Sequence, residues 1–172
     1  MDLSQLHSGF PGITPVWGES LSEAARICLE AQALAGPCHY PVDGDITASH
    51  TLTWPSTTDQ MRRAWNDLDE AAEHGAYGMA ALIIAEHTSY EVVERSRKGT
   101  GFDYWLGLKG EDTEMFQHTA RLEVSGINRG DDSAVKARVK KKLIQTSVTD
   151  GVLPAYVIVV EFSTPRARVI LK

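Results

Sequence analysis

The chain contains 172 residues, of which 42% are hydrophobic and 23% are charged, and its formal net charge is −6. This length suffices for one well-buried domain and is too short for two comfortable ones, so a single domain over residues 1–172 is expected. The composition is that of a globular protein, and the apolar-rich run 76–85 is about half of the roughly 20 residues that a membrane span needs, which argues against a membrane protein.

The start of the chain and its cysteines favour a cytoplasmic protein. Residues 1–12 have neither the cationic lead nor the apolar run of a signal peptide. Cys28 and Cys38 show no C-x-x-C spacing and no nearby set of histidines, which indicates reduced packing residues.

A helix and a hairpin are the first predicted elements. Ser20 and Glu23 have the spacing of a capping box at a helix start, and Gly36-Pro37 ends that helix. Loose alternation over residues 39–54, with an Asp-Gly turn signal inside it, predicts two short antiparallel strands.

The remainder of the chain is predicted to supply the central sheet. In chain order the elements are a helical region with a bend over 57–87, strands over 90–95 and 101–108, a polar loop over 109–117, a strand over 119–127, a helix over 133–147 that Ser133 caps and Asp150-Gly151 ends, and strands over 155–162 and 167–171. This order predicts an α/β (α+β) fold with a mixed central β-sheet flanked by helices. Residues 1–56 are interpreted as an N-terminal helix-plus-hairpin addition to the core at 57–172, since no linker-like stretch separates them.

Three acids on consecutive predicted elements are candidate site residues. Glu123 shares one strand face with Ser125 because side chains alternate along a strand. An acid on such a half-buried strand is costly unless it has a partner or a metal. Asp103 lies on the preceding strand, and Glu73 lies on the helix before it.

Each acid also has a structural alternative. Glu73 is equally compatible with a solvent-facing helix position, and Asp103 with a turn or a strand end. Glu123 has an ion-pair alternative with Arg121. Glu161, at the end of the predicted central strand, either joins the site or is a partnered strand-end acid.

The arrangement of these acids along the sequence resembles that in the core of the PD-(D/E)XK nuclease superfamily. Holliday-junction resolvases and Mrr-type restriction enzymes belong to this superfamily. That family has a helical Glu, an Asp at a strand end and Glu-x-Lys on the following strand. The similar stretch spans about residues 67–162, with Glu73 on its helix, Gly101-Phe102-Asp103 next and Leu122-Glu123-Val124-Ser125 after it. The resemblance implies a restriction-endonuclease-like core in which Glu73, Asp103 and Glu123 hold Mg²⁺ or Mn²⁺, the cations that hard oxygen ligands suit.

The lysine of the family pattern falls at Ser125 in this chain. Counting at 100° per residue from Val135 places Lys142 at the edge of an apolar helix stripe, so Lys142 is the hypothetical replacement and Lys141 the second choice. Gln145 matches the polar residue of the family's later helix. The structural alternative for Lys142 and Gln145 is a surface position.

The resemblance implies Mg²⁺-dependent hydrolysis of DNA phosphodiester bonds, in a setting such as restriction or phage defence. DNA is thus the expected partner, together with a second copy of the chain in a homodimer or another protein of a defence system. Basic clusters at residues 95–98 and 136–142 would contact phosphates, or are simply solvated faces.

Two other functions stay open. Ser125 in the lysine position and the net charge of −6 favour a nuclease fold that has lost its chemistry and acts as a binding or assembly module. The third is a small-molecule enzyme that uses the same metal site. Tyr104 and Trp105 either stack on a base or belong to the core.

Several other site classes have no support in the sequence. The histidines show no H-x-x-x-H or H-x-H spacing, which argues against a zinc site. No nucleophile-elbow motif surrounds a serine, and the stretch 98–101 lacks the glycine spacing of a phosphate-binding P-loop.

Overall fold

The computed structural model describes residues 1–110, 118–149, 151 and 153–172. Most of the polar loop predicted over 109–117 therefore lies outside the described residues, as does Asp150 of the predicted helix-ending signal. Among the described residues, no helix combines the length and the apolar character that crossing a bilayer requires.

Seven strands form one mixed sheet, which confirms the predicted α/β fold with a central sheet flanked by helices. The strands are β1 (Cys38–Gly44), β2 (Ala48–Leu52), β3 (Tyr90–Arg95), β4 (Tyr104–Leu108), β5 (Ala120–Ile127), β6 (Ala155–Glu161) and β7 (Arg166–Leu171). Their order is β2-β1-β7-β6-β5-β4-β3, with β5–β6 and β1–β7 parallel and the other pairs antiparallel. The N-terminal hairpin thus extends the same sheet, in a layout consistent with a restriction-endonuclease-like core.

The first helix, α1, spans Pro15–Ala31 and follows a 3₁₀ turn at Leu3–Ser8. The prediction that it begins at Ser20 is wrong, because Ser20 lies inside the helix. The cap is Thr14, whose hydroxyl accepts a hydrogen bond from the Trp17 amide at 3.2 Å. Proline is favourable at the first helical position, since it has no amide hydrogen that needs a partner there.

Two helices, α2 (Asp59–Ala64) and α3 (Leu68–His87), replace the single bent helix predicted over 57–87. The break occurs because Asp67 starts a new helix, with its carboxylate accepting the Asp69 amide at 3.0 Å. An acid at this position also interacts favourably with the helix dipole.

The last helix, α4, spans Asp132–Gln145 and continues into a 3₁₀ turn at Thr146–Thr149. Its cap is Asp131, which accepts the Ala134 amide at 2.8 Å, and not the predicted Ser133. Aspartate and serine are about equally good caps, so the sequence alone does not decide between neighbouring candidates.

Strand β5 is covered on both faces. Leu122 and Val124 belong to the main core with α3, whereas Ile127 packs with Val135 and Val139 of α4 in a second apolar cluster. By alternation, Glu123 therefore faces α4.

The crossing of α3 over β5 depends on Gly126. A Cβ atom added there would lie 1.9 Å from the Ala72 carbonyl oxygen, so only glycine permits this close approach. The contact sets Glu73, the next residue of α3, beside the end of β5 and so fixes where the candidate site forms.

Candidate functional site

A cleft of about 700 Å³ lies between the first half of α3 and α4, next to β5. Four of the five predicted site residues line it, namely Glu73, Asp103, Lys142 and Gln145. Glu123 is fully buried, with 0% exposure, and it contacts Lys142 at the cleft wall. The fold therefore brings together residues that are up to 72 positions apart in the chain (73 to 145).

Asp103 is held at the point where β4 begins. The strand starts at Tyr104, later than the predicted residue 101, since Gly101 has a positive φ of 84° in the preceding turn. One carboxylate oxygen of Asp103 accepts the Val124 amide at 2.8 Å, which anchors the side chain beside Glu123. Burial raises the pKa of Asp103, an effect that the Val124 hydrogen bond opposes.

Tyr77 joins the helix acid to the strand acid. Its hydroxyl lies 2.9 Å from a Glu73 carboxylate oxygen and 3.3 Å from Asp103 Oδ1. Burial and the charges of Asp103 and Glu73 raise the pKa of Tyr77, so the phenol keeps its proton and acts as a donor. Tyr77 is not among the site residues predicted from the sequence, although its i+4 spacing from Glu73 puts both on one helix face.

Glu123 pairs with Lys142, and Arg121, the alternative partner, donates to the Leu153 carbonyl at 2.6 Å. The second carboxylate oxygen of Glu123, Oε2, is buried and no amide, hydroxyl, amine or guanidinium group of the described residues donates to it, so that its hydrogen-bonding neighbour is the carboxyl group of Asp103. Burial and then the neighbouring Asp103 charge raise the pKa of Glu123 to about 7, against the opposing effect of Lys142. A buried oxygen without such a donor is unfavourable, and here it is a carboxylate oxygen next to a second carboxyl group.

Helix α4 supplies the basic side of the cleft. Arg138 donates to the Ser125 hydroxyl at 2.8 Å and to the Gly126 carbonyl at 3.3 Å. A guanidinium group from α4 therefore occupies the neighbourhood of Ser125, where the family pattern has its lysine. Lys141, Lys142 and Gln145 of the same helix also line the cleft.

Glu161 takes the second of its two predicted roles, that of a partnered strand-end acid. It is fully buried, and its carboxylate accepts the amides of Ser163 at 2.7 Å, Thr164 at 2.8 Å and Gly130 at 3.2 Å. These bonds hold the turn after β6 and leave Glu161 apart from the cleft.

The aromatic pair after Asp103 does not face the cleft. Tyr104 is 1% exposed and belongs to the main core, where its ring packs against Tyr77 with centroids 5.6 Å apart. Trp105 stacks on His118, with ring centroids 4.0 Å apart. The core alternative therefore holds for Tyr104.

The raised pKa of Glu123 gives the metal-free protein a specific pH dependence. The pKa of Glu123 rises from its ordinary value of 4.5 in the unfolded chain to about 7 in the folded protein. Between these values the folded protein holds a proton that the unfolded chain has lost, so the free energy of unfolding falls as the pH rises. We expect wild type to lose up to about 3 kcal/mol relative to Glu123→Gln between pH 4.5 and pH 8.

Urea unfolding in a chelating buffer, repeated across this range for both proteins, measures that difference. Comparison with Glu123→Gln cancels the contributions of carboxyl groups elsewhere in the chain. A constant difference between the two proteins across the range would contradict the expectation.

Comparison of the chain with protein-family models, with curated proteins and with solved structures gave no match.

Proposed function

We propose that the chain is a metal-dependent nuclease that hydrolyses DNA phosphodiester bonds, with Mg²⁺ or Mn²⁺ held by Asp103, Glu123 and Glu73. The observation that supports this most directly is the pairing of the buried Glu123 with the half-buried Asp103. One oxygen of that pair has no amide, hydroxyl, amine or guanidinium donor among the described residues, and the pair lies beside a cleft with a basic wall.

The donor atoms are of the type that a hard divalent cation prefers, although Glu73, Asp103 and Glu123 do not bring one oxygen each within 4.8 Å of the other two in the structure. All three side chains offer carboxylate oxygens, which Mg²⁺ and Mn²⁺ prefer over nitrogen or sulfur. Two carboxylates close together repel unless a cation or a proton neutralises them, and the pKa of Glu123 is raised by burial and then by the charge of Asp103, whereas burial raises the pKa of Asp103. Bound there, the metal would supply Lewis-acid polarisation of a phosphoryl oxygen and a more acidic water.

The chain's own side chains would orient the reacting groups. Tyr77 fixes the carboxylates of Glu73 and Asp103 through its hydroxyl. Lys142, held against Glu123, carries a positive charge where a phosphate would enter the cleft, and such a preorganised charge stabilises the developing negative charge of the transition state. Arg138 is fixed by Ser125 and would bind a phosphate oxygen of the backbone.

DNA as the substrate is supported by the charge distribution at the cleft. Although the whole chain has a net charge of −6, four basic side chains line the cleft opposite the acidic Asp69, Glu73 and Asp103. Those lining the cleft are Arg129, Arg138, Lys141 and Lys142. Local positive charge draws a phosphate backbone to a protein that is acidic overall. A cytoplasmic location, in restriction or phage defence, would put such an enzyme in contact with DNA.

A second candidate function is a nuclease fold without catalysis that serves as a binding or assembly module. The contact between Lys142 and Glu123 favours it, because the ammonium group neutralises the buried carboxylate without any metal. In that case Asp103→Ala would leave the binding of a partner intact.

Incubation of the purified protein with linear, circular and branched DNA in Mg²⁺ or Mn²⁺ tests the proposal. We expect new DNA ends that depend on the metal and disappear in a chelator. Ca²⁺ in a parallel titration reports metal binding separately from cleavage. Unchanged DNA in every condition, with no calorimetric signal for Mg²⁺ or Mn²⁺, would overturn the nuclease proposal.

A further inference from the structure

Two histidines that are far apart in the sequence meet at the other end of α3. His50 of β2 and His87, the last residue of α3, have their Nε2 atoms 2.8 Å apart. Glu86 lies beside them, with its carboxylate 3.5 Å from Nδ1 of His50. Of His50 and Glu86, His50 is the more enclosed, because its side chain is 7% exposed and that of Glu86 is 46% exposed.

The ligand atoms of this cluster are close enough for one ion. Each of the three residues offers one such atom, and the atoms all lie within 4.8 Å of one another. The carboxylate of Glu86 at Nδ1 favours the tautomer of His50 that carries its proton there. The lone pair of His50 Nε2 is then directed at His87, which is the orientation that a metal-binding imidazole needs.

The end of α3 is also held in place for this role. Lys109 donates from its ammonium group to the carbonyl oxygens of Ala85 and Thr88, which flank Glu86 and His87 in the chain. His50 is fixed from the other side because β2 pairs with β1 in the sheet. A site with rigid supports loses less entropy when it binds an ion.

We propose that His50, His87 and Glu86 form a second metal site, which binds a first-row transition ion of the Zn²⁺ type. Imidazole nitrogens suit such ions and are poor ligands for Mg²⁺. Two nitrogens on a tetrahedral Zn²⁺ are roughly 3.3 Å apart when the Zn–N bonds are about 2.0–2.1 Å, so the rings need to separate by about half an ångström. Glu86 is 46% exposed, and its carboxylate becomes the third ligand by moving from Nδ1 of His50 to the ion, which leaves one position for water.

Binding of the ion requires a change of tautomer at one histidine. In the metal-free cluster, one Nε2 atom carries a hydrogen that it shares with the other. For Zn²⁺ to take the lone pairs of both Nε2 atoms, the imidazole that carried its hydrogen on Nε2 gives that hydrogen to water and takes one on Nδ1, so that both ligands stay neutral. The ion would tie β2 of the N-terminal hairpin to the end of α3, roughly 20 Å along the helix from Glu73.

Calorimetric titration of the metal-free protein with ZnCl₂ tests the site. We expect one Zn²⁺ per chain at this cluster and an affinity at least about tenfold lower in His50→Gln, His87→Gln and Glu86→Gln. Zn²⁺ should also raise the Tm of wild type, because it binds only the folded state, and this rise should be lost in the same variants. His39→Gln, at an exposed histidine of β1, is the matched control and should behave like wild type.

The carboxylate cleft is a competing place for Zn²⁺, so the titration is repeated on the double variant Asp103→Asn, Glu123→Gln. Retention of the Zn²⁺ site in that variant supports the histidine cluster. The proposal would be overturned if Zn²⁺ binding were lost in the double variant and kept in the histidine variants. Unchanged Zn²⁺ affinity in His87→Gln would also overturn it. Circular dichroism checks that each variant is folded. Glu86→Gln changes an exposed side chain and therefore does not disturb the packing of the interior.

Discussion

Asp103→Asn and Glu123→Gln are each expected to lower the rate of DNA cleavage about a thousandfold or more and to weaken the binding of Mg²⁺ or Mn²⁺ sharply. Both substitutions keep the shape of the side chain and remove one negative carboxylate ligand. Several kcal/mol of transition-state stabilisation depend on the cation that these ligands would hold, and each 1.36 kcal/mol corresponds to a factor of ten in rate.

The same variants should fold at least as stably as wild type at pH 8. Removing one of two carboxyl groups in contact relieves their repulsion, and a neutral amide is less costly to bury than a carboxylate. A loss of activity with unchanged or increased stability therefore separates a metal-ligand role from a purely structural role.

Single-turnover cleavage assays and Mg²⁺ calorimetry on the two variants supply the measurement. Asp69→Asn is the matched control, since Asp69 is another acid of the cleft but is in the first turn of α3, where Asp67 caps the helix. We expect it to change the rate by no more than a few fold. Cleavage at the wild-type rate by either Asp103→Asn or Glu123→Gln would contradict the assignment of the ligands.

Lys142→Met is the second substitution with a large expected effect, and it should act on both rate and stability. The rate should fall about a hundredfold or more, as it does when one preorganised charge is removed from a transition state. The free energy of unfolding should fall by about 3 kcal/mol at pH 8, because Glu123 is then a buried carboxylate without its counter-ion.

The sign of the pH effect follows from the same contact. Without the lysine, the pKa of Glu123 rises further above its ordinary value, since Lys142 is one of the groups that lower it. At pH 5 the folded variant then holds the neutral acid, and the destabilisation should be smaller than at pH 8.

Lys141→Met is the matched control for this experiment. Lys141 also lines the cleft on α4 and is the second candidate for the lysine of the family pattern. We expect it to weaken DNA binding modestly and to leave the unfolding free energy unchanged. A larger loss of rate in Lys141→Met than in Lys142→Met would reverse the assignment, and Lys142→Arg should restore part of the stability if charge is what matters.

The parts of the site that follow local periodicity could be predicted from the sequence. Alternation along β5 puts Glu123 and Ser125 on one face, and helical counting from Val135 puts Lys142 at the edge of the buried stripe. In the structure the two faces meet, so that Lys142 contacts Glu123. Strand alternation and helix periodicity hold wherever one face of an element is buried.

The parts that depend on long-range packing could not be predicted in this way. Tyr77 contributes through its hydroxyl only because α3 approaches β5 closely at Gly126. The contact of His50 with His87 requires the hairpin to extend the sheet toward the end of α3, and no spacing rule covers residues 37 positions apart. Helix starts were also misplaced, because Thr14 and Asp131 compete with serines that have similar capping ability.

Among the residues that the structure describes, the amine and the guanidinium that contact Glu123 or Ser125 both belong to helix α4, of which Val135 and Val139 are the buried residues. These two side chains pack in a small apolar cluster separate from the main core. Detachment of α4 thus costs less free energy than unfolding of the sheet. Warming the protein should therefore inactivate it in two stages. Helix α4 with its basic side chains should detach first, while the sheet and α3 that carry the acids remain folded.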